Sequence, residues 1–178
     1  MTVTAIDNRQ AARLNVIMVP PPILIVWHSR TGAAQALADA VCRGAGASGA
    51  LMRASDVQPE HLLAAEALVF ACPENLASMS GEMKEMFDRC YYPVLGKAEG
   101  KPFASIIAAG SDGEGAQRQL DRIATGWRLR RIAEPMIFNF AAQTELEILA
   151  AKTTPENYLI ECVQLGNALE EGLEIGLF

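Results

Sequence analysis

Three short apolar runs constrain the fold more than any other feature: ILIVWH (Ile23–His28), EALVFAC (Glu66–Cys72) and KPFASIIAAG (Lys101–Gly110). Each is continuous rather than alternating, and each is short and bounded by turn residues. That is the pattern of a strand buried on both faces. Helical spacing of apolar residues follows in Gly32–Gly44, and again in Ser80–Cys90, where Met83, Met86, Phe87 and Cys90 share one side. A second strand is expected over Gly49–Ser55, a short helix over Pro59–Ala65, and a helix over Gly115–Trp127. Arg131–Phe140 reads as the last strand, with Pro135 placing it at an edge or a bulge. Pro155–Leu173 closes the chain as a helix with a proline at its first turn. Five strands alternating with five helices specify an α/β protein with a parallel sheet covered on both faces.

The chain has 178 residues, which is most simply one domain, preceded by an extension over residues 1–21. The stretch LNVIMVPPPILIVW is apolar, but Pro20 to Pro22 break any helix there, so no membrane span is expected. The formal charge of −6 argues against nucleic acid, which demands a basic face, yet leaves room for one small anion. Cys42, Cys72, Cys90 and Cys162 form no C-x-x-C pair. They read as buried small apolar residues in a reduced, cytoplasmic compartment. His28 reads as structural and His61 as a surface helix residue; two histidines so far apart give no metal site.

In an open parallel sheet, ligands bind beyond the carboxyl ends of the strands. The loops that emerge there are SRTGAA, CPENLASMSG and AGSDGEGA, all rich in small, hydroxylated or glycine residues. In the first, Ser29 and Thr31 offer hydroxyls, Gly32 permits close approach, and the following helix presents its N-terminal N–H groups to an anion. A plain helix cap by Ser29 or Thr31 explains the same residues, and Arg30 either adds charge or points to solvent. A formal G-x-G-x-x-G match, GAGASG at Gly44–Gly49, follows a helix and precedes a strand. That is the wrong end of the sheet for a dinucleotide fingerprint.

SRTGAAQALADAV and ACPENLASMSGEMKEMFDRCYYP together resemble the flavodoxin-like FMN proteins, especially the flavodoxin-related NAD(P)H:quinone and FMN reductases. The match in the second stretch rests on Pro73, Ser78, Met79, Ser80, Met83, Lys84, Asp88 and Arg89. The resemblance spans Ile23 to Phe178. It implies a three-layer flavodoxin-like fold over residues 22–178, whose five-stranded parallel sheet runs in the order 2-1-3-4-5. It also implies FMN at the mouth of that sheet. Ser29, Arg30, Thr31, Gly32, Ala33 and Ala34 would cradle the phosphate. Pro73, Glu74, Asn75, Leu76, Ala77, Ser78 and Met79 would line the ring. Ala109, Gly110, Ser111, Asp112, Gly113 and Gly115 would close over its other edge. Ala34 departs from the family, which often has a hydroxyl there; one lost hydrogen bond, about 0.5–1.5 kcal/mol, would weaken FMN about tenfold.

The resemblance further implies ping-pong reduction of a small-molecule acceptor by NADPH or NADH in a homo-oligomer. The flavin carries the chemistry, so no catalytic side chain is required. A flavodoxin-type electron carrier and a flavin-free binding module are the alternatives. The candidate ring loops hold no Trp, Tyr or Phe, which favours the reductase over a carrier with an aromatic-shielded ring. Lys84, Asp88 and Arg89 read either as a bridge across a subunit interface or as a solvated face with an i,i+4 pair of Lys84 and Asp88; Met83, Met86 and Trp127 read as core, and Tyr91 and Tyr92 as ordinary packing or as part of a substrate pocket in a neighbouring subunit.

Overall fold

A computed structural model describes residues 21–178; the expected extension lies outside them except for its last residue. Strands β1 (Ile23–Trp27), β2 (Gly49–Arg53), β3 (Ala67–Asn75) and β5 (Pro102–Ala109) are parallel, in the order β2-β1-β3-β5. The three central strands take the three apolar runs. Every residue of β1 and β5, and β3 from Ala67 to Cys72, is buried.

The edge position beyond β5 is shared by two short strands, β6 (Arg130–Arg131) and β7 (Met136–Asn139), both parallel to β5. The expected strand over Arg131–Phe140 is therefore split, and the break contains Pro135, which has no N–H for the ladder. With the short strand β4 (Ser78–Met79), which returns antiparallel to β3, the sheet has seven strands among the described residues rather than five. The 2-1-3-4-5 order of the long parallel strands survives, with β7 in the fifth place.

Helices α1 (Ala33–Gly44) and α6 (Glu156–Glu174) cover one face of the sheet; α3 (Gly81–Val94) and α4 (Glu114–Gly126) cover the other. The first face buries Ile23, Ile25, Val69 and Ile106 against Leu37, Val41 and Leu169. The second buries Leu24, Leu68 and Phe70 against Met83, Met86, Phe87 and Leu120. Trp127 joins this second core edge-on to Phe87, at a ring separation of 5.1 Å. Gly44, one of the glycines of GAGASG, works in packing: a Cβ there would stand 2.1 Å from the Val163 carbonyl oxygen. Gly166 does the same for α6, with the Val41 carbonyl at 2.1 Å, so the two helices cross in backbone contact.

Two further helices are short: α2 (Pro59–Ala64), as expected, and α5 (Glu145–Leu149), which the apolar periodicity does not announce. α3 runs past Cys90, and Tyr92 on its last turn is 80% exposed, so Tyr92 does not pack in the core. Cys72, Cys90 and Cys162 are buried and Cys42 is half-buried, all as free thiols. Among the described residues, no helix is long and apolar enough to cross a membrane.

Candidate functional site

The carboxyl ends of β1, β3 and β5 open into a cleft of about 1020 Å³. It is walled by the three loops singled out in the sequence. Every residue from Ser29 to Ala34 except Gly32, every residue from Pro73 to Met79, and Ala109, Gly110 and Ser111 line it. Gly32, Asp112, Gly113 and Gly115 do not.

The first wall is the start of α1. Gly32 precedes the helix at φ 90°, a left-handed conformation that glycine adopts without strain. Its N–H donates to the Ser29 hydroxyl at 3.1 Å. Among the described residues no side chain caps the helix, and no acidic residue stands in its first turn. The N–H groups of that turn therefore face the cleft with the positive end of the helix dipole behind them. Ala34 lines the cleft with no exposed surface and belongs to the apolar cluster under α1.

Arg30 is paired rather than free: its guanidinium reaches Glu82 at 3.2 Å, and His28 Nε2 lies 3.4 Å from the same oxygen. His28 nevertheless has a lowered pKa. Burial is the largest cause; Glu82 opposes it, and Arg30 and Arg53 add to it. The imidazole is thus neutral near pH 7, and its contact with Glu82 is not an ion pair there. Glu82 is held below the usual carboxylate range, first by its own backbone N–H, with burial opposing and His28 and Arg30 assisting.

The second wall is a hairpin rather than a loop. β3 continues to Asn75, turns through Leu76 and Ala77, and returns as β4, with Asn75 paired to Ser78 and Glu74 to Met79. Leu76 and Ala77 have φ of 52° and 57°, the two left-handed positions of a tight hairpin turn that Asn-Gly usually fills. Each non-glycine residue there costs roughly 1–2 kcal/mol. The surroundings hold the turn. The Glu74 carboxylate accepts the N–H of Gly113 at 2.7 Å and of Ala116 at 3.2 Å, capping α4 from across the cleft. Gln119 Oε1 accepts the Ser78 hydroxyl at 2.7 Å and the Met79 N–H at 2.9 Å.

These contacts explain two glycines that the resemblance places at the ring. A Cβ on Gly115 would stand 2.2 Å from the Ala77 carbonyl oxygen, so Gly115 admits the hairpin onto α4. Gly113 (φ 90°) caps α4 where a Cβ would meet Ile137 at 2.4 Å. Both shape the wall from behind.

The third wall is tied to the end of the sheet. Phe140 N–H bonds the Ala109 carbonyl at 2.8 Å and Ala142 N–H that of Gly110 at 2.9 Å. This brings Phe140, Ala142, Ile148, Leu149 and Lys152 to the cleft, together with Gly81 and Ala108. Sequence reasoning missed these seven. The legible trace of the α5 segment was its capping box: Thr144 Oγ1 accepts the Glu147 N–H, and the Glu147 carboxylate accepts the Thr144 N–H at 2.9 Å. Lys152 lines the cleft with its ammonium bonded to the carbonyls of Glu147, Ile148 and Ala150 at the end of α5. Its backbone N–H bonds the Thr31 carbonyl at 2.8 Å, strapping this segment to the first wall. Phe140 is the one aromatic side chain lining the cleft among the described residues.

The sequence profile of the NADPH-dependent FMN reductase family matches residues 33–143. Among curated proteins, none matches the chain. Of solved structures, a flavodoxin from the domain Archaea is 20% identical, with a TM-score of 0.67 over 85% of this chain and 98% of that one. A WrbA-like flavodoxin from Agrobacterium tumefaciens is 17% identical, with a TM-score of 0.62 over 84% and 97%. Two-electron reduced flavodoxin from Megasphaera elsdenii is also 17% identical, with a TM-score of 0.65 over 84% and 98%. These likenesses bear out the flavodoxin-like fold, and the profile match covers the start of α1 in the first wall, the whole second wall and the third wall as far as Ala142. The chain belongs to the NADPH-dependent FMN reductase family and is an FMN-binding oxidoreductase.

Proposed function

We propose that this protein is an NAD(P)H-dependent reductase that passes electrons through FMN, in the cleft described above, to a quinone or free flavin. The observation that carries the reading is the uncapped start of α1 opening beside Ser29 and Thr31 at one end of a cleft of about 1020 Å³. That donor set suits a phosphate monoester, because neutral N–H groups and a helix dipole hold one dianion without a lysine. The volume, at the upper limit of ordinary small-molecule sites, suits a mononucleotide with room beside it. FMN, when bound, supplies the redox chemistry.

The chain's own residues bind and orient. Ser29, Thr31 and the first turn of α1 hold the phosphate. The hairpin from Pro73 to Met79 and the segment Ala109–Ser111 wall the ring, and their backbone groups stabilise the more negative reduced state. Among the described residues only one aromatic side chain, Phe140, lines the cleft, which supports an open ring face for an acceptor, as a reductase needs. The reading takes residues 22–178 as the FMN domain and residues 1–21 as an extension. It includes a second copy of the chain walling the open side, and a cytoplasmic location in keeping with four free thiols.

The test begins with a sample supplemented with FMN and then desalted. Retained flavin absorbance is expected; its absence overturns the reading. Anaerobic NADPH or NADH should then bleach that absorbance, and a quinone should restore it. If neither nucleotide bleaches it, the reductase reading is overturned.

A further inference from the structure

The hairpin that walls the cleft does not hold its own shape. Its turn places two non-glycine residues, Leu76 and Ala77, at φ of 52° and 57°, a pairing that needs outside support. That support comes from α4, on the side away from the cleft. Gly115 gives the Ala77 carbonyl room, and Gln119 supplies an acceptor that two hairpin donors share, the Ser78 hydroxyl at 2.7 Å and the Met79 N–H at 2.9 Å. Gln119 itself does not line the cleft.

We infer that Gln119 is a positioning residue for the flavin: it pins the returning strand at Ser78–Met79 and so fixes where the backbone of Asn75 to Ala77 stands against the ring. The inference rests on the proposal that FMN occupies this cleft. Donors held rigidly stabilise the more negative, reduced form more than the oxidised form; donors on a loosened turn discriminate less. Gln119 therefore sets the reduction potential as well as the affinity, without touching the ring. A side chain that only stabilised the fold would change the affinity for both oxidation states alike.

The experiment compares wild-type protein with Gln119→Leu, which keeps bulk but loses the acceptor, and Gln119→Glu, which keeps an acceptor oxygen. Amide exchange in the flavin-free proteins reads the Met79 N–H directly. It should speed up about tenfold in Gln119→Leu and stay near wild type in Gln119→Glu. In the FMN-loaded proteins, the two-electron potential of Gln119→Leu should fall by about 30 mV, a tenfold change in the ratio of the two affinities. Should the leucine variant fail to fold, Gln119→Ala carries the same comparison. An unchanged potential, with or without weaker FMN binding, overturns the inference. A wild type that retains no FMN overturns the cofactor reading and this inference with it. Unchanged Met79 exchange in the leucine or alanine variant overturns the inference alone.

Discussion

The carboxylate of Glu74, near the end of β3, accepts the backbone N–H of Gly113 at 2.7 Å and so caps helix α4 from the opposite wall of the cleft. A second bond, from the Ala116 N–H at 3.2 Å, completes the cap. One side chain thus joins the second and third loops, and α4 gains the negative charge its N-terminus favours. Glu74→Ala should destabilise the protein by about 1–2 kcal/mol, the loss of a charged cap. Thermal denaturation should register this as a fall in Tm of about 3–6 °C. Glu74→Gln, which keeps one acceptor, should fall between.

Gly115→Ala tests the contact behind the hairpin. The new Cβ would stand 2.2 Å from the Ala77 carbonyl oxygen and 2.7 Å from its carbon, both backbone atoms that cannot rotate away. The hairpin must shift outward, at a strain of about 1–3 kcal/mol. FMN affinity measured by fluorescence titration should drop about tenfold. An Ala variant with wild-type affinity and Tm would show that the hairpin does not rest on α4.

Ala77→Gly should act in the opposite sense on stability. Alanine at φ 57° carries left-handed strain of roughly 1–2 kcal/mol, and glycine removes it. Glycine's extra unfolded-state entropy returns about 0.5–1 kcal/mol. The net gain of about 0.5–1 kcal/mol should raise Tm by about 2–3 °C, read by calorimetry.

Ala34→Ser places a hydroxyl where the family often has one. Ala34 has no exposed surface and sits in the apolar cluster under α1, so the hydroxyl would face buried apolar neighbours. The expected result is a loss of about 1 kcal/mol in denaturant titrations and no gain in FMN affinity. Tighter FMN binding in this variant would instead show that the hydroxyl reaches the phosphate.

His28 predicts a pH dependence. Its folded pKa lies below the ordinary 6.5, chiefly because burial disfavours the charged ring. The unfolded chain takes up this proton before the folded protein does. The stability it contributes is therefore complete above pH 6.5 and is lost as pH falls through the lower folded value. Glu82, also lowered, acts in a separate window below its ordinary 4.5. Urea midpoints of His28→Gln should vary less than those of wild type from pH 6.5 downward. Equal slopes in the two proteins would contradict a neutral, half-buried imidazole.

Much of this protein is local and was readable along the chain. The runs at Ile23, Glu66 and Lys101 are apolar without alternation because central parallel strands are buried on both faces. Three loops of small and hydroxylated residues mark the strand ends, and all three reach one cleft. Pro135 announced the interruption of the edge strand, since a missing N–H is a property of the residue itself. The division of labour inside the cleft was not readable. Whether a glycine approaches a ligand or a neighbouring backbone depends on what lies behind it, and Gly113 and Gly115 face Ile137 and Ala77. Glu74 lines the cleft yet spends its carboxylate on α4, 39 residues away in sequence. Leu76 and Ala77 carry no turn signature; the hairpin they close is bonded to Gln119 at Ser78 and Met79 and packs on α4 at Gly115, contacts between segments distant in the chain. Residue types and periodicity determined the sheet and where its strands end. The tertiary structure decided which side chains face the cleft and which hold its walls, since those roles are set by contacts between segments distant in the chain.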